Sequence, residues 1–305
     1  MAEQRRITRI GVLGAANIAA EAIVRPAARR DDVEITAIAA RRPGAARDFA
    51  AEHRIGTAYE EYEQVIEDER VDVVYIALAA RMVSAAGDGV RLVEGFHYRH
   101  HPLFLLLLRE TVASGSLGAL RSLTTELRDS RPFDAASVLH DPAVGGGTLW
   151  HAGCYPVHWM RTLTGGEPLV VSARAQLNPL GADETIDAEL RFPGDITGRI
   201  HASMAPGGRQ GNRLTLVGER GELEVENLIA PHAGHSVRLR IDGEAQRTFT
   251  VGGGTTFDYQ LAAFLGEGAP PPPTSDIVAN AVAIEAIYAA AGVDAYRGGS
   301  GSAAV

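Results

Sequence analysis

The sequence predicts an α/β fold in two parts. The first is a doubly wound parallel sheet, and the second is an α+β region built on a mostly antiparallel sheet. Three observations carry this prediction. Apolar strand-like runs alternate with helical stretches from Ile7 to Phe96. The opening stretch ITRIGVLGAANIA joins an apolar run to a small-residue turn and an Ala-rich helix. From Arg121 onward, short alternating segments are separated by Gly, Pro and Asn, as in an antiparallel sheet with one covered face.

Ile7, Ile10, Val12 and Leu13 form the first buried strand. The turn Gly14-Ala15-Ala16-Asn17-Ile18-Ala19 reads G-x-A-x-x-A, where the dinucleotide fingerprint has G-x-G-x-x-G/A. Gly14 supplies the turn and Ala19 the close helix–strand packing. Ala16 keeps a methyl where glycine would admit a phosphate more closely. A helix over Ile18 to Arg29 then points its positive end at the turn, the arrangement that holds a pyrophosphate in a Rossmann-type sheet.

Val33 to Ala40 is the second strand, followed by a helix near Ala45 to His53. A short strand lies around Ile55 to Ala58, a short helix over Tyr62 to Glu67, and a strong buried strand over Val71 to Leu78. A dinucleotide's adenosine ribose sits beyond the second strand, where an acid takes its hydroxyls and an arginine takes a 2′-phosphate. Here Arg41 and Arg42 follow that strand and no acid does. Two guanidiniums match a phosphate dianion in charge and geometry, which favours NADP, with NAD possible.

A short helix over Ala79 to Gly87 and a strand over Val90 to Phe96 complete the first part, and His101 to Ser114 is a helix. The strands of the second part are Arg121 to Arg128, Val170 to Gln176, Asp187 to Phe192, Gly198 to Met204, Arg213 to Gly218, Glu222 to Val225 and Val237 to Ile241. Gly207 to Gly211 reads as a hairpin loop, and Asp183, Glu184 and Asp187 as a solvated edge. Pro270 to Pro273 is a stiff linker into a last helix, capped by Ser275 or Asp276 and ended by Gly292. The expected division is 1–97 for the dinucleotide-binding part and 98–305 for the second.

The chain has 305 residues, enough for about two domains, with 46% hydrophobic and 22% charged residues. A net charge of −9 gives no electrostatic case for nucleic acid or an acidic membrane. Every one of the 29 basic residues is arginine. The single cysteine, Cys154, excludes an internal disulfide and fits a reducing compartment. With no long apolar run, the expected location is the cytoplasm. His97, His100 and His101 cluster, but no acidic or cysteine partner follows at ligand spacing, so no metal is expected.

GVLGAANIA, VDVVYIAL, EGFHYRHHPLF, GGGTLWHAGCYPVHW and the closing helix occur in this order. Together they resemble the Gfo/Idh/MocA oxidoreductases, in particular the glucose–fructose oxidoreductase and dimeric dihydrodiol dehydrogenase branch, from Ile7 to about Gly292. The resemblance implies a Rossmann domain followed by a large open sheet, with a small-molecule substrate held against the nicotinamide. It implies cofactor contacts from Gly11, Gly14, Ala15, Ala16, Asn17, Ile18, Arg41, Arg42 and Leu78, and substrate contacts from Arg99 and His158. It also implies a homo-oligomer formed through the open sheet.

Two departures stand out. The family's Glu-Lys-Pro segment, with its lysine, has no counterpart, as though an internal deletion had removed a strand and most of two helices. Val90 to Phe96 could then pair directly beside Val71 to Leu78, because a crossover of about a dozen residues is sufficient. Second, His151 stands where the family has aspartate, and Tyr155 follows it by four. On one helix from Leu149 to Leu163, His151, Tyr155 and His158 would share a face.

Oxidising a secondary alcohol requires a base for the hydroxyl proton. An unperturbed tyrosine, with a pKa of about 10, is only about 0.1% ionised at neutral pH. With no lysine, either protonated His151 supplies the positive field for Tyr155, or His151 is itself the base. The expected activity is NAD(P)-dependent hydride transfer with a sugar, polyol or related hydroxy or carbonyl compound. The alternative is a nucleotide-binding relic that has lost catalysis.

Overall fold

Strand β1 (Thr8–Leu13) pairs in parallel with β2 (Val33–Ala39) on one side and β4 (Val73–Ile76) on the other, and β2 pairs with β3 (Thr57–Tyr59). The computed structural model describes residues 7–40, 42–76, 93–109, 115–267 and 273–293. Its chain divides into two compact units, the first of which also takes in Phe257 and the residues after it up to 267.

The first unit is a four-stranded parallel sheet in the order β3-β2-β1-β4. Its strands read as continuous apolar runs because both faces are covered. Ile10, Val12, Ala37, Ile38 and Ala39 are fully buried. The helix after β1 runs through Asn17–Ala19, Ala20–Val24 and Arg25–Ala27, and its middle stretch is a π-helical turn. Pro26 accounts for the turn: its ring clashes with the carbonyl four residues back and it donates no hydrogen bond, so the helix widens just ahead of it. Leu261 joins the core beside this helix, and Asp258 and Glu267 form ion pairs with Arg29 and Arg30.

Of the expected strand over Val90 to Phe96, residues 90–92 lie outside the described residues, as do Ala79 to Gly87 and Leu78. The described end, 93–96, is not a strand and turns directly into a 3-10 helix, His97–His100.

The second unit is an eight-stranded sheet in the order β12-β11-β10-β9-β5-β8-β7-β6. Its strands are β5 (Leu120–Arg128), β6 (Leu169–Leu177), β7 (Asp183–Phe192), β8 (Ile196–Ser203), β9 (Gly211–Gly218), β10 (Gly221–Glu226), β11 (Ser236–Ile241) and β12 (Arg247–Phe249). All neighbours are antiparallel except β5 and β8. The loop over Gly207 to Gly211 is not the hairpin expected: residues 204–210 carry the chain from β8 across β5 to β9. One face alternates inward with Leu123, Leu127, Ile186, Ile200, Leu214 and Leu216, all buried. The other face carries cross-strand ion pairs such as Arg213–Glu226 and Arg238–Glu224, each at 2.9 Å.

The covered face packs on the helix Cys154–Thr164, entered through a π-helical turn, Leu149–Gly153. Here Pro156 plays the part of Pro26. Gly198 of β8 lets this helix come close, since a Cβ there would lie 2.9 Å from the Met160 sulfur. Asp183 is fully buried, correcting its reading as a solvated edge. It accepts from the Leu149 amide at 2.8 Å and from the Tyr288 hydroxyl at 2.7 Å, tying β7, the π turn and the last helix, Thr274–Ala291, together. That helix ends on Gly292 at φ 69°, as expected, but neither Ser275 nor Asp276 caps its start.

Candidate functional site

The cradle in the first unit is built by β1. Gly14 turns the chain at φ 101°, a conformation that suits glycine, and its amide is fixed to the Ala39 carbonyl at 2.8 Å. Ala16 stays extended ahead of the helix, and no side chain caps the helix start. The first-turn amides of a helix have no partner within the helix and sit at its positive end. Asn17 and Ile18 are exposed, Ala15 and Ala16 half-buried, and Ala19 fully buried against the core. This open start fits an anionic phosphate group.

Gly11 has a different role from the one expected. It is buried in mid-strand, and a Cβ there would lie 2.5 Å from Cγ1 of Val65. Its lack of a side chain lets Val65 of the helix Tyr62–Ile66 pack against the strand. Arg42 is exposed beyond the end of β2. Arg41 and Leu78 lie outside the described residues.

The second unit gathers Phe96, Tyr98 and Arg99 of the EGFHYRHHP segment around Tyr155 and His158. Tyr155 meets the ring of Phe96 edge-on at 5.5 Å and lies 5.8 Å from that of Tyr98. His158 stacks on Phe96 at 4.1 Å. It is fully buried, with Nδ1 against the Tyr98 hydroxyl and Nε2 3.0 Å from Asp276. Burial lowers the His158 pKa even against the pull of Asp276, so the ring is neutral. Burial likewise pushes the Tyr98 phenol well above its usual value, so it keeps its proton and donates to Nδ1. His158 Nε2–H then donates to Asp276. Both nitrogens are thereby committed inside the unit, so His158 is a buried link between helices and not the substrate contact expected of it.

Arg99 lies 3.4 Å from both His158 Nε2 and the Thr162 hydroxyl. Asp276 also receives Arg161 at 3.2 Å, and Arg161 makes a two-pronged pair with Glu167 at 2.7 and 2.8 Å. Although burial alone would raise it, the Asp276 carboxyl is held below its usual range by His158, Arg161 and Arg99. Glu94 lies beside this network with its Oε2 buried and without a hydrogen-bond partner. Burial pushes its carboxyl to about 7, and the charge of Asp276 adds to the effect. Burial, reinforced by Glu94, pushes the Cys154 thiol up, so it is not a reactive thiolate.

His151 does not join His158. The wide π turn rotates it off the face that carries Tyr155 and His158. Its Nε2 instead meets Asp129 Oδ2 at 3.2 Å, and Asp129 is held in turn by Arg131 at 2.7 Å. The His97, His100 and His101 rings separate: His97 bonds the Thr256 hydroxyl at 2.8 Å and His101 accepts from the Leu103 amide at 3.1 Å. Among the described residues no group of three His, Cys, Asp or Glu side chains could hold a metal, and no helix is long and apolar enough to cross a membrane.

Sequence reasoning missed Tyr98, Glu94, Asp129 and Asp276. Tyr98 and Glu94 flank residues it had singled out, whereas Asp129 and Asp276 come from distant elements and gave no local signal.

Two successive family models match the chain. An oxidoreductase family with an NAD-binding Rossmann fold covers residues 8–105, and a GFO/IDH/MocA C-terminal domain covers residues 105–224. A D-xylose 1-dehydrogenase (NADP(+)) of Haloferax volcanii is 29% identical over 265 residues, spanning 76% of this chain and 81% of the relative. A trans-1,2-dihydrobenzene-1,2-diol dehydrogenase of Homo sapiens is 28% identical over 230 residues, spanning 65% and 68%. Among solved structures, a 3-ketoreductase from Actinomadura kijaniata in complex with TDP-benzene and NADP superposes with a TM-score of 0.82 at 21% identity, covering 93% of this chain and 98% of that one. An aldose-aldose oxidoreductase from Caulobacter crescentus does so at 0.80 and 20%, covering 94% and 98%. At these identities the structural matches show the fold.

Proposed function

Because the chain belongs to the GFO/IDH/MocA family of NAD(P)-binding oxidoreductases, related to xylose and dihydrodiol dehydrogenases, we propose that it transfers hydride between NADP and a sugar, polyol or related hydroxy or carbonyl compound. The observation that carries the reading is the Gly14 turn, which opens an uncapped helix start in the fold of this family. A bound nicotinamide supplies the hydride acceptor or donor. The amides from Ala15 to Ile18 would hold the pyrophosphate, and Arg41 and Arg42 the 2′-phosphate that distinguishes NADP from NAD. The Haloferax volcanii relative is named for NADP(+), which supports this preference.

The proton is the task of this chain's own side chains. Tyr155, set among the rings of Phe96, His97 and Tyr98, offers a phenol to a substrate oxygen. His151, four residues earlier in the chain, offers an imidazole nitrogen as the base. Arg99 adds positive charge beside Tyr98.

The test is a fluorescence titration with NADPH and NADH, followed by a screen of sugars, polyols and diketones at the nicotinamide absorbance band. Tight NADPH binding with turnover is the expected result. Tyr155→Phe and His151→Ala should each lower kcat about a hundredfold with NADPH binding unchanged. Full activity in both variants would remove them from the site.

One observation favours a second reading, that of a nucleotide-binding relic. The sequence contains no lysine, and the Glu-Lys-Pro segment that the family resemblance implies has no counterpart. Binding of NADPH without turnover on any substrate class would select it.

A further inference from the structure

We infer that Asp129 is a positioning residue for this reaction: it fixes the tautomer of His151 so that Nδ1 is the atom that takes the substrate proton. The inference rests on the oxidoreductase reading above. His151 sits in the middle of the π turn before the Cys154–Thr164 helix, and Asp129 follows the end of β5, so two separate elements bring them together. Asp129 is not free to wander. Its amide is bonded to the Ser203 carbonyl at 2.9 Å, and its Oδ2 receives Arg131 Nε at 2.9 Å. Its carboxyl is held below the usual range, chiefly by the hydrogen bond from His151 and further by Arg131, against a burial effect that opposes them. It is therefore an acceptor at neutral pH, with no proton to donate.

A carboxylate can only accept, so the 3.2 Å contact places a proton on His151 Nε2. In a neutral imidazole the other nitrogen then carries the lone pair. Among the described residues nothing is hydrogen-bonded to Nδ1, and the His151 side chain is 35% exposed. The couple thus presents one basic nitrogen outward, with its partner nitrogen anchored to a fixed anion. In the oxidation direction the substrate O–H bond breaks, its proton goes to Nδ1, and the O–H electron pair becomes the second bond of the new carbonyl. The carbon gives up its hydride to the oxidised nicotinamide nucleotide. The imidazolium so formed keeps its Nε2–H on Asp129 and releases the Nδ1 proton to solvent. Removing Asp129 leaves both tautomers accessible, and the wrong one offers no base where the proton leaves.

Nitrogen-15 NMR of the imidazole side chains reads the tautomer directly and does not depend on turnover. His151→Gln assigns the His151 signals. In the wild-type protein at pH 8, His151 should show a protonated Nε2 and a bare Nδ1. In Asp129→Ala the two nitrogens should move toward averaged shifts. The kcat should fall tenfold or more, while NADPH affinity stays within twofold. A wild-type His151 protonated on Nδ1 would overturn the inference even if the alanine variant failed to fold. An alanine variant with unchanged shifts or full kcat would also overturn it. A wild-type protein with the expected tautomer but no turnover would instead count against the oxidoreductase reading and leave the Asp129–His151 couple standing.

Discussion

Gly11 shows how much one hydrogen atom can matter. Gly11→Ala would drive a methyl into Val65, and overpacking of a filled core costs about 1–3 kcal/mol. Urea denaturation should report a loss of that size with the slope unchanged. The variant should still bind NADPH when folded, because Gly11 faces the core. The neighbouring Gly14 was legible as a turn residue because only a sharp positive-φ turn explains a glycine between an apolar strand and a helix. Gly11 was not, since a glycine within a strand gives no sign of whether a side chain or a ligand approaches it. His158 failed in a related way. Helical spacing placed it beside Tyr155, but spacing does not reveal that Tyr98 and Asp276 occupy both ring nitrogens.

The helices hold the lesson at the next scale. Both helices that bear on the site widen into a π turn just before a proline, Pro26 in one and Pro156 in the other. The prolines were visible in the sequence, but both stretches read as regular helices because their apolar spacing dominates. The consequence at Leu149–Gly153 is that His151 leaves the line of Tyr155 and His158. Asp183 holds that turn in place. Asp183→Ala would remove the acceptor that the Leu149 amide and the Tyr288 hydroxyl share in the core, at a cost of about 3 kcal/mol. Thermal or denaturant unfolding should show the loss. Asp183→Asn, which keeps acceptor and size, should recover much of it. The strands were easier to read, because alternation with one covered face survives in every long strand of the second unit. The short strand β12 and the helix Thr256–Phe264 lacked that pattern and were missed.

For the whole molecule, buried titratable groups set the pH range of stability. Burial lowers the pKa of His97 to about 3 and of His100 and His101 to about 4. Below about pH 6.5 the unfolded chain binds protons that these folded rings refuse, so stability falls as pH drops through the window from 6.5 toward 4. Glu94 works the other way. Its folded pKa of about 7 lies above the unfolded value of 4.5, so stability is lost as pH rises from about 4.5 to 7. Three rings outweigh one carboxyl on the acid side. Melting temperature should therefore climb up to about pH 7 and then level off, with Glu94 flattening the climb between about pH 4.5 and 7. Glu94→Gln should steepen that climb; a variant curve no steeper than the wild-type one between about pH 4.5 and 7 would contradict this account. The two-part architecture was legible because parallel and antiparallel sheets leave different hydropathy patterns. The order of the eight strands was not, because register across distant segments has no local signature.

That order has a consequence for how the protein is made. Strand β5 leaves the ribosome before either of its neighbours, β8 and β9, exists, while β6–β8 and β9–β12 can each zip up as local meanders. The middle of the sheet must therefore wait as a bare edge until both flanks arrive to enclose it. Closure around β5, which needs the most distant pairings of the sheet, is then the expected slow step of its folding.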